Sequence, residues 1–234
     1  MNLAIMQPYF LPYVGYFQLV SAVDHFVFYD DAQFIKNGWI ERNRYLLDGQ
    51  AKWFGVPLAK GRHDARINER HVSASFSREI VLNKLAFAYR NAPFRVWGLD
   101  LVEDLLSQVG PDIARFNGRV LQRLCSILEL NTRFSWASDL VFDDACRGES
   151  RVIAIASALG ASTYINPVGG MHLYDQRRFN DHGLELRFIS PRLHEYRQFA
   201  GDFVPALSIL DLLMFNSVEQ VSDWAASTFV EAVR

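Results

Sequence analysis

Cysteine is scarce in this chain: Cys125 and Cys146 are the two in 234 residues, too few for a disulfide framework or a zinc ligand set. Cys125 falls in an apolar helical pattern, where a free cysteine behaves as a small core residue. Cys146 follows Asp143-Asp144, whose negative charges oppose thiolate formation and make it a poor nucleophile, Arg147 notwithstanding. Excess positive charge is also lacking. Lys and Arg number 24 against 26 Asp and Glu, a formal net charge of −2, which excludes the basic field that drives non-specific nucleic-acid binding. No run is long and apolar enough to cross a bilayer, and the N-terminus lacks the charged region and cleavage pattern of a secretory signal. A cytoplasmic location without membrane insertion is therefore expected. HExxH, G-x-S-x-G and P-loop motifs are absent, as are fixed-period repeats, low-complexity tracts and long linkers.

What is present begins with Leu3 to Met6, a compact apolar run read as a buried strand. Pro8 and Pro12 keep Gln7 to Pro12 out of a helix; Tyr16 to Val23 is helical and His25 to Tyr29 is a second strand ending in Asp30-Asp31. Strand, loop, helix, strand is a parallel βαβ unit, whose ligands sit at the carboxyl ends of strands. Ile40 to Leu47 and Lys52 to Leu58 flank Asp48-Gly49, a hairpin signature. Residues 59–74 are polar and irregular, and Ser77 caps the first helix of a block running to Leu130, with Pro111 in the first turn of its last helix. Phe134 to Ala137 returns to strand, Glu149 to Leu159 to helix closed by Gly160, and Thr163 to Asn166 to strand. A loop, Pro167-Val-Gly-Gly170, then precedes a short helix capped by Asp175 and a strand over Leu184 to Ile189. Leu207 to Phe215 and an amphipathic stretch from Ser217 to Val233 read as closing helices. The expected fold is α/β: one 234-residue unit with a Rossmann-like parallel sheet, a helical block at about 77–130 and a small β-hairpin.

Two polar clusters fall at the strand ends. In the first βα turn, nucleotidylyltransferases of the HUP superfamily carry histidine-x-glycine-histidine; the corresponding stretch here is Tyr13-Val14-Gly15-Tyr16. That resemblance bears on fold, because neutral phenols bring no positive charge to a phosphate. After the second strand, Asp30 or Asp31 is the candidate general base or divalent-ion ligand, and only one of the adjacent pair can face a given ligand. Lys36 joins them as a catalytic candidate, and Lys36 and Arg42 suit a carboxylate or phosphate. Gln7, Tyr9, Tyr13, Gly15 and Tyr16 shape the pocket; Gln33 and Asn43 supply polar contacts and Trp39 a stacking surface. Gly169, Gly170 and His172 approach from the second unit, though a plain tight turn is the better reading of the glycine pair. Ser208 and Asp211, one turn apart among leucines, read as buried bracing groups. All of these nearest the strand ends are expected on one concave surface, with no dedicated metal ligand set.

Gln7-Pro-Tyr-Phe-Leu-Pro-Tyr-Val-Gly-Tyr-Phe-Gln18, Tyr29-Asp-Asp-Ala-Gln-Phe-Ile-Lys-Asn-Gly-Trp-Ile40 with Arg42 and Asn43, and Phe203-Val-Pro-Ala-Leu-Ser-Ile-Leu-Asp-Leu-Leu213 with Asn216 resemble the WbqC-like family. The chain departs from it at Glu41, where a neutral polar residue is more frequent, and at Ala206, where asparagine is common. The resemblance implies an enzyme of bacterial surface-polysaccharide (O-antigen) biosynthesis, transferring glycine or a related aminoacyl group to an amino sugar; it carries over no catalytic residues. The implied partners are an activated small-molecule donor and an amino-sugar or nucleotide-sugar acceptor, with ATP, a nucleotide sugar and Mg²⁺ all open as cofactors. Rival readings are a metal-dependent nucleotidylyl or glycosyl transferase and a non-catalytic nucleotide-sugar-binding protein. On the enzymatic reading, Asp31→Asn or Lys36→Ala abolishes turnover at no more cost in melting temperature than a surface change.

Overall fold

The computed structural model describes residues 1–141, 146–228 and 230–232. Strands β1 (Asn2–Met6) and β2 (His25–Phe28) flank helix α1 (Val14–Ser21) and pair in parallel, as the apolar runs on either side of the two prolines require. A hairpin of β3 (Arg42–Leu47) and β4 (Gln50–Gly55) follows; Asp48 and Gly49 both take positive φ, 50° and 71°, which is what a two-residue turn between twisted strands demands. The helical block is α2 (Arg78–Ala88), α3 (Arg95–Ser107) and α4 (Ile113–Ile127). The Ser77 side chain accepts from the Ile80 N–H and caps α2; α4 is capped by Asp112, so Pro111 stands just before the helix rather than in its first turn.

The chain returns to the main sheet with β5 (Arg133–Trp136), α5 (Gly148–Ala158), β6 (Thr163–Pro167), α6 (Gln176–Asn180) and β7 (Glu185–Ile189). Strand order is β5-β2-β1-β6-β7, all parallel, with β8 (Val230–Ala232) added antiparallel on β7. This is a Rossmann-like fold with a separate hairpin. After β5 the chain crosses the sheet to β6, so the order reverses between β1 and β6, and a crevice opens at their carboxyl ends.

Alternation along the strands splits the apolar residues between two cores. Ala4, Phe26, Phe28 and Ile165 pack under α1 and the helical block, with α7 (Ile209–Phe215) and α8 (Val218–Ala226). Leu3, Ile5, Val27, Tyr164 and Leu186 face α5 and α6. Cys125 is buried in the first core, where burial pushes its thiol up to about 12.

The closing amphipathic stretch is a helix only to Ala226; Val230–Ala232 is strand, because the free edge of β7 offers a ladder that a longer helix would leave unpaired, while Val233 lies outside the described residues. Pro167 to Gly170 leads into a tight turn, as read from the glycine pair: Val168–Leu173 winds into a 3₁₀ helix. Gly170 is needed there for space, since a Cβ would come within 2.3 Å of the Asn166 Nδ2.

Candidate functional site

Asp30 and Asp31 follow the carboxyl end of β2 in a turn, and their carboxylates find different partners. Asp30 is fully buried. Its Oδ1 accepts from the Ser138 N–H at 3.0 Å and its Oδ2 from the Ser138 hydroxyl at 2.6 Å. Burial raises its pKa and those two bonds draw it back. Both oxygens are thus engaged in tying the turn after β5 to the tip of β2, which makes Asp30 a brace between strands.

Asp31 faces the α5 side. Its Oδ2 accepts from Arg151 of α5, and the two side chains are 10% and 11% exposed. Its Oδ1 is buried with no hydrogen-bond partner among the described residues. A carboxylate oxygen left without a donor at this depth is costly unless a ligand supplies one. Asp31 lines a polar hollow of about 1040 Å³ with Tyr29, Gln33, Arg62, Arg66, Asn68, Ser138, Cys146, Arg147 and Arg151. Tyr29 is pushed up to about 12, by burial first and by the Asp31 charge second, so its phenol keeps its proton. Arg62 is paired with Asp64 at 2.7 Å, whereas Arg147, at the N-cap of α5, meets no carboxylate among the described residues. Asp143 and Asp144, expected to bear on Cys146, lie outside the described residues; Cys146 itself is half-buried on the wall of the hollow.

A second hollow of about 430 Å³ opens at the strand-order reversal, between the tips of β1 and β6 and on the α1 side. Tyr9, Tyr13, Gly15, Tyr16, Trp39 and Asn43 line it, joined by Arg44, Met6, Pro167, Pro191, Leu193 and Ala206. The Tyr16 hydroxyl donates to the Gln7 carbonyl at 2.8 Å, so this phenol and the Gln7 backbone hold the opening loop. Asn43 is likewise structural: its amide donates to the Phe10 and Leu11 carbonyls at 3.0 and 2.9 Å. Tyr9 and Tyr13 keep their hydroxyls free of hydrogen bonds among the described residues, and burial raises both, with each Tyr9 charge further opposed by Tyr13.

The expected single concave surface is therefore two hollows. Asp31 and Gln33 belong to the polar one and the tyrosines and Trp39 to the aromatic one, because the turn after β2 takes Asp31 to α5 while the loop carrying the tyrosines runs into α1 on the other face of the sheet. Lys36 is exposed in the loop before Trp39 and lines neither; Arg42 lines neither, its guanidinium lying 4.1 Å over the Trp53 ring and donating to the Asn37 carbonyl at 2.5 Å. Gly169 and His172 are exposed on the 3₁₀ turn, and with Gly170 they line neither hollow. Sequence reading missed Arg147 and Arg151, spaced i, i+4 at the start of a helix, and Arg44, two residues beyond Arg42 on the same strand face; those spacings were the available signal. Among the described residues no cluster of three or more His, Cys, Asp or Glu could hold a metal ion, and no helix is long and apolar enough to cross a membrane.

A family model, the WbqC-like protein family, matches residues 7–223. The chain belongs to that family. It is similar to the "Uncharacterized protein Rv1507c" of Mycobacterium tuberculosis (strain ATCC 25618 / H37Rv), with 29% identity over 226 residues covering 95% of this chain and 96% of the relative. No solved structure matches the chain. The WbqC-like match spans both hollows, from the Gln7 loop through Asp31 and Arg151 to Ala206.

Proposed function

We propose that this WbqC-like chain is a two-substrate transferase of surface-polysaccharide (O-antigen) biosynthesis, moving a glycyl or related aminoacyl group to the amine of an amino sugar. The observation that carries this reading is the buried Oδ1 of Asp31, without a hydrogen-bond partner among the described residues, on the wall of the polar hollow. A carboxylate oxygen in that state accepts best from a charged or polarised N–H. In the reaction, the acceptor amine donates to Oδ1 and attacks the activated acyl carbon. The N–C bond forms, the bond from carbon to the leaving group breaks, and the proton released by nitrogen passes to Asp31. Arg151 holds the other oxygen and so aims the carboxylate. Tyr29, an un-ionised phenol on the same wall, would donate to the acyl oxygen. Arg147, without a carboxylate of its own among the described residues, fits the anionic leaving group. Asp30 is assigned no step and Lys36 is kept as a loop cation outside the hollow.

The test is mass-spectrometric detection of the amide product after incubating the protein with activated glycyl donors and a nucleotide-linked amino sugar, with and without ATP and Mg²⁺. Product formation that falls at least about a hundredfold in Asp31→Asn supports the reading. Release of pyrophosphate or nucleoside diphosphate without amide would replace it by nucleotidylyl or glycosyl transfer. Ligand binding with no turnover of any donor would leave a non-catalytic binding protein.

A further inference from the structure

The aromatic hollow takes no part in the acid–base step, yet it occupies the reversal point of the sheet. In folds of this class a ligand's phosphate is ordinarily held at the N-terminus of the first helix. Here that turn is covered. A Cβ on Gly15 would stand 2.5 Å from the Tyr13 ring and 2.7 Å from the Pro191 Cβ, so ring and strap close over the first turn of α1.

The positive charge has moved to the hairpin. Arg44 lies with its guanidinium 5.7 Å over the Trp39 ring, Trp39 and Trp53 have centroids 5.4 Å apart, and Arg42 lies 4.1 Å over Trp53. Arg42 and Arg44 share a face of β3, since they are two residues apart. Neither meets a carboxylate among the described residues, and the Nε of each is buried without a partner. Arg44 and Trp39 both line the hollow, so the cation–aromatic ladder starts at its wall and runs outward. A hollow of about 430 Å³ falls within the range of small-molecule sites, roughly 300–1,000 Å³. Its polar equipment is sparse: the free hydroxyls of Tyr9 and Tyr13 and the Arg44 guanidinium.

We infer that this hollow is the binding site for a nucleoside diphosphate, the base lying among Tyr9, Tyr13 and Trp39 and the phosphates on the Arg44–Trp39–Trp53–Arg42 ladder. Aromatic walls suit the flat faces of a base, the two phenols can exchange hydrogen bonds with its edge, and guanidinium forks match phosphate oxygens. This deepens the transferase reading and rests on it: a nucleotide-linked sugar anchored here presents its sugar across the strand tips to Asp31.

The experiment is titration of the whole chain with UDP, ADP, uridine and inorganic pyrophosphate, read by tryptophan fluorescence and calorimetry. A nucleoside diphosphate is expected to bind about tenfold or more tighter than uridine or pyrophosphate, quenching Trp39 emission. Arg42→Gln at the outer end of the ladder and Arg44→Gln at the wall of the hollow should each weaken the diphosphate several-fold and leave uridine unchanged; Trp39→Ala should weaken both. Pyrophosphate binding as tightly as the best nucleotide, no binding of either nucleotide, or wild-type affinity in Trp39→Ala would each overturn the inference. Asp31→Asn, outside this hollow, should keep nucleotide affinity while losing amide transfer. Nucleotide binding retained with amide transfer absent in the wild type ends the transfer reading alone, whereas amide transfer without nucleotide binding ends this one alone.

Discussion

Tyr29 donates its backbone N–H to the Met6 carbonyl at 2.9 Å, and the two residues line different hollows. They stand on the tips of neighbouring strands β2 and β1, which in a sheet lie about 4.8 Å apart. The polar hollow with Asp31 and the aromatic hollow with Trp39 therefore adjoin over a single pair of strand ends. On the proposed transferase reading, a donor in one and an acceptor in the other would meet over the β1–β2 tips.

Asp31 and Arg151 form a nearly buried pair, so the effect of Asp31→Asn on stability exceeds that of a surface change. Neutralising one partner leaves the other's charge less compensated, at about 1–3 kcal/mol. A double-mutant cycle with Arg151→Met, followed by urea unfolding, should return a coupling of about 1 kcal/mol or more. A coupling of zero would mean that Arg151 does not position the carboxylate.

Gly15 has no room for a methyl group against the Tyr13 ring and Pro191. Gly15→Ala should cost about 1–3 kcal/mol through overpacking. Added to Tyr13→Ala, which clears one side, the same change should cost less than it does alone. Additivity of the two in thermal unfolding would contradict the close approach.

Ala206 takes φ +53°, a left-handed conformation that disfavours a residue with an ordinary Cβ, and its carbonyl accepts from Arg44 at 2.9 Å. Asparagine tolerates that conformation. Ala206→Asn should stabilise the chain by about 0.5–1 kcal/mol, measurable as a higher melting temperature. A lower one would show that space in the hollow outweighs backbone preference.

Asp211 of α7 gathers three donors: Tyr89, at the C-cap of α2, donates to it at 2.7 Å, and Tyr196 and Gln198, on the segment before α7, at 2.5 and 3.0 Å. Burial raises it to about 6, and the three donated bonds pull against that rise. A carboxyl raised in the folded state from 3.8 contributes stability that is fully present below about 4 and lost as pH climbs through about 6, on the order of 3 kcal/mol. The stability of the wild type relative to Asp211→Asn, followed by urea unfolding from about pH 4 to about pH 7, should fall with rising pH and level off above about 6. A difference that stays flat would remove the raised pKa from the account.

The strands, the hairpin at Asp48-Gly49 and the caps at Ser77 and Asp175 were legible because each is a local matter of apolar period, turn geometry or a side chain reaching its own backbone. Ser208 and Asp211 were read correctly as bracing groups, since polar residues among leucines must find partners: the Ser208 hydroxyl donates to the Leu11 carbonyl at 2.7 Å. The end of the last helix was missed because β8 exists only where the edge of β7 is on offer.

By itself the sequence determined that the chain is an α/β protein with parallel βαβ units and which residues stand at the strand ends, because hydrophobic period and turn chemistry act over a few residues. Only the tertiary structure decided that Asp30 braces while Asp31 faces a cavity, that Arg151 and Arg147 join it from more than a hundred residues away, and that the tyrosines line a separate hollow. Those outcomes depend on which face of the sheet each helix covers and on strands brought together by long crossovers, relations between segments that no local pattern encodes.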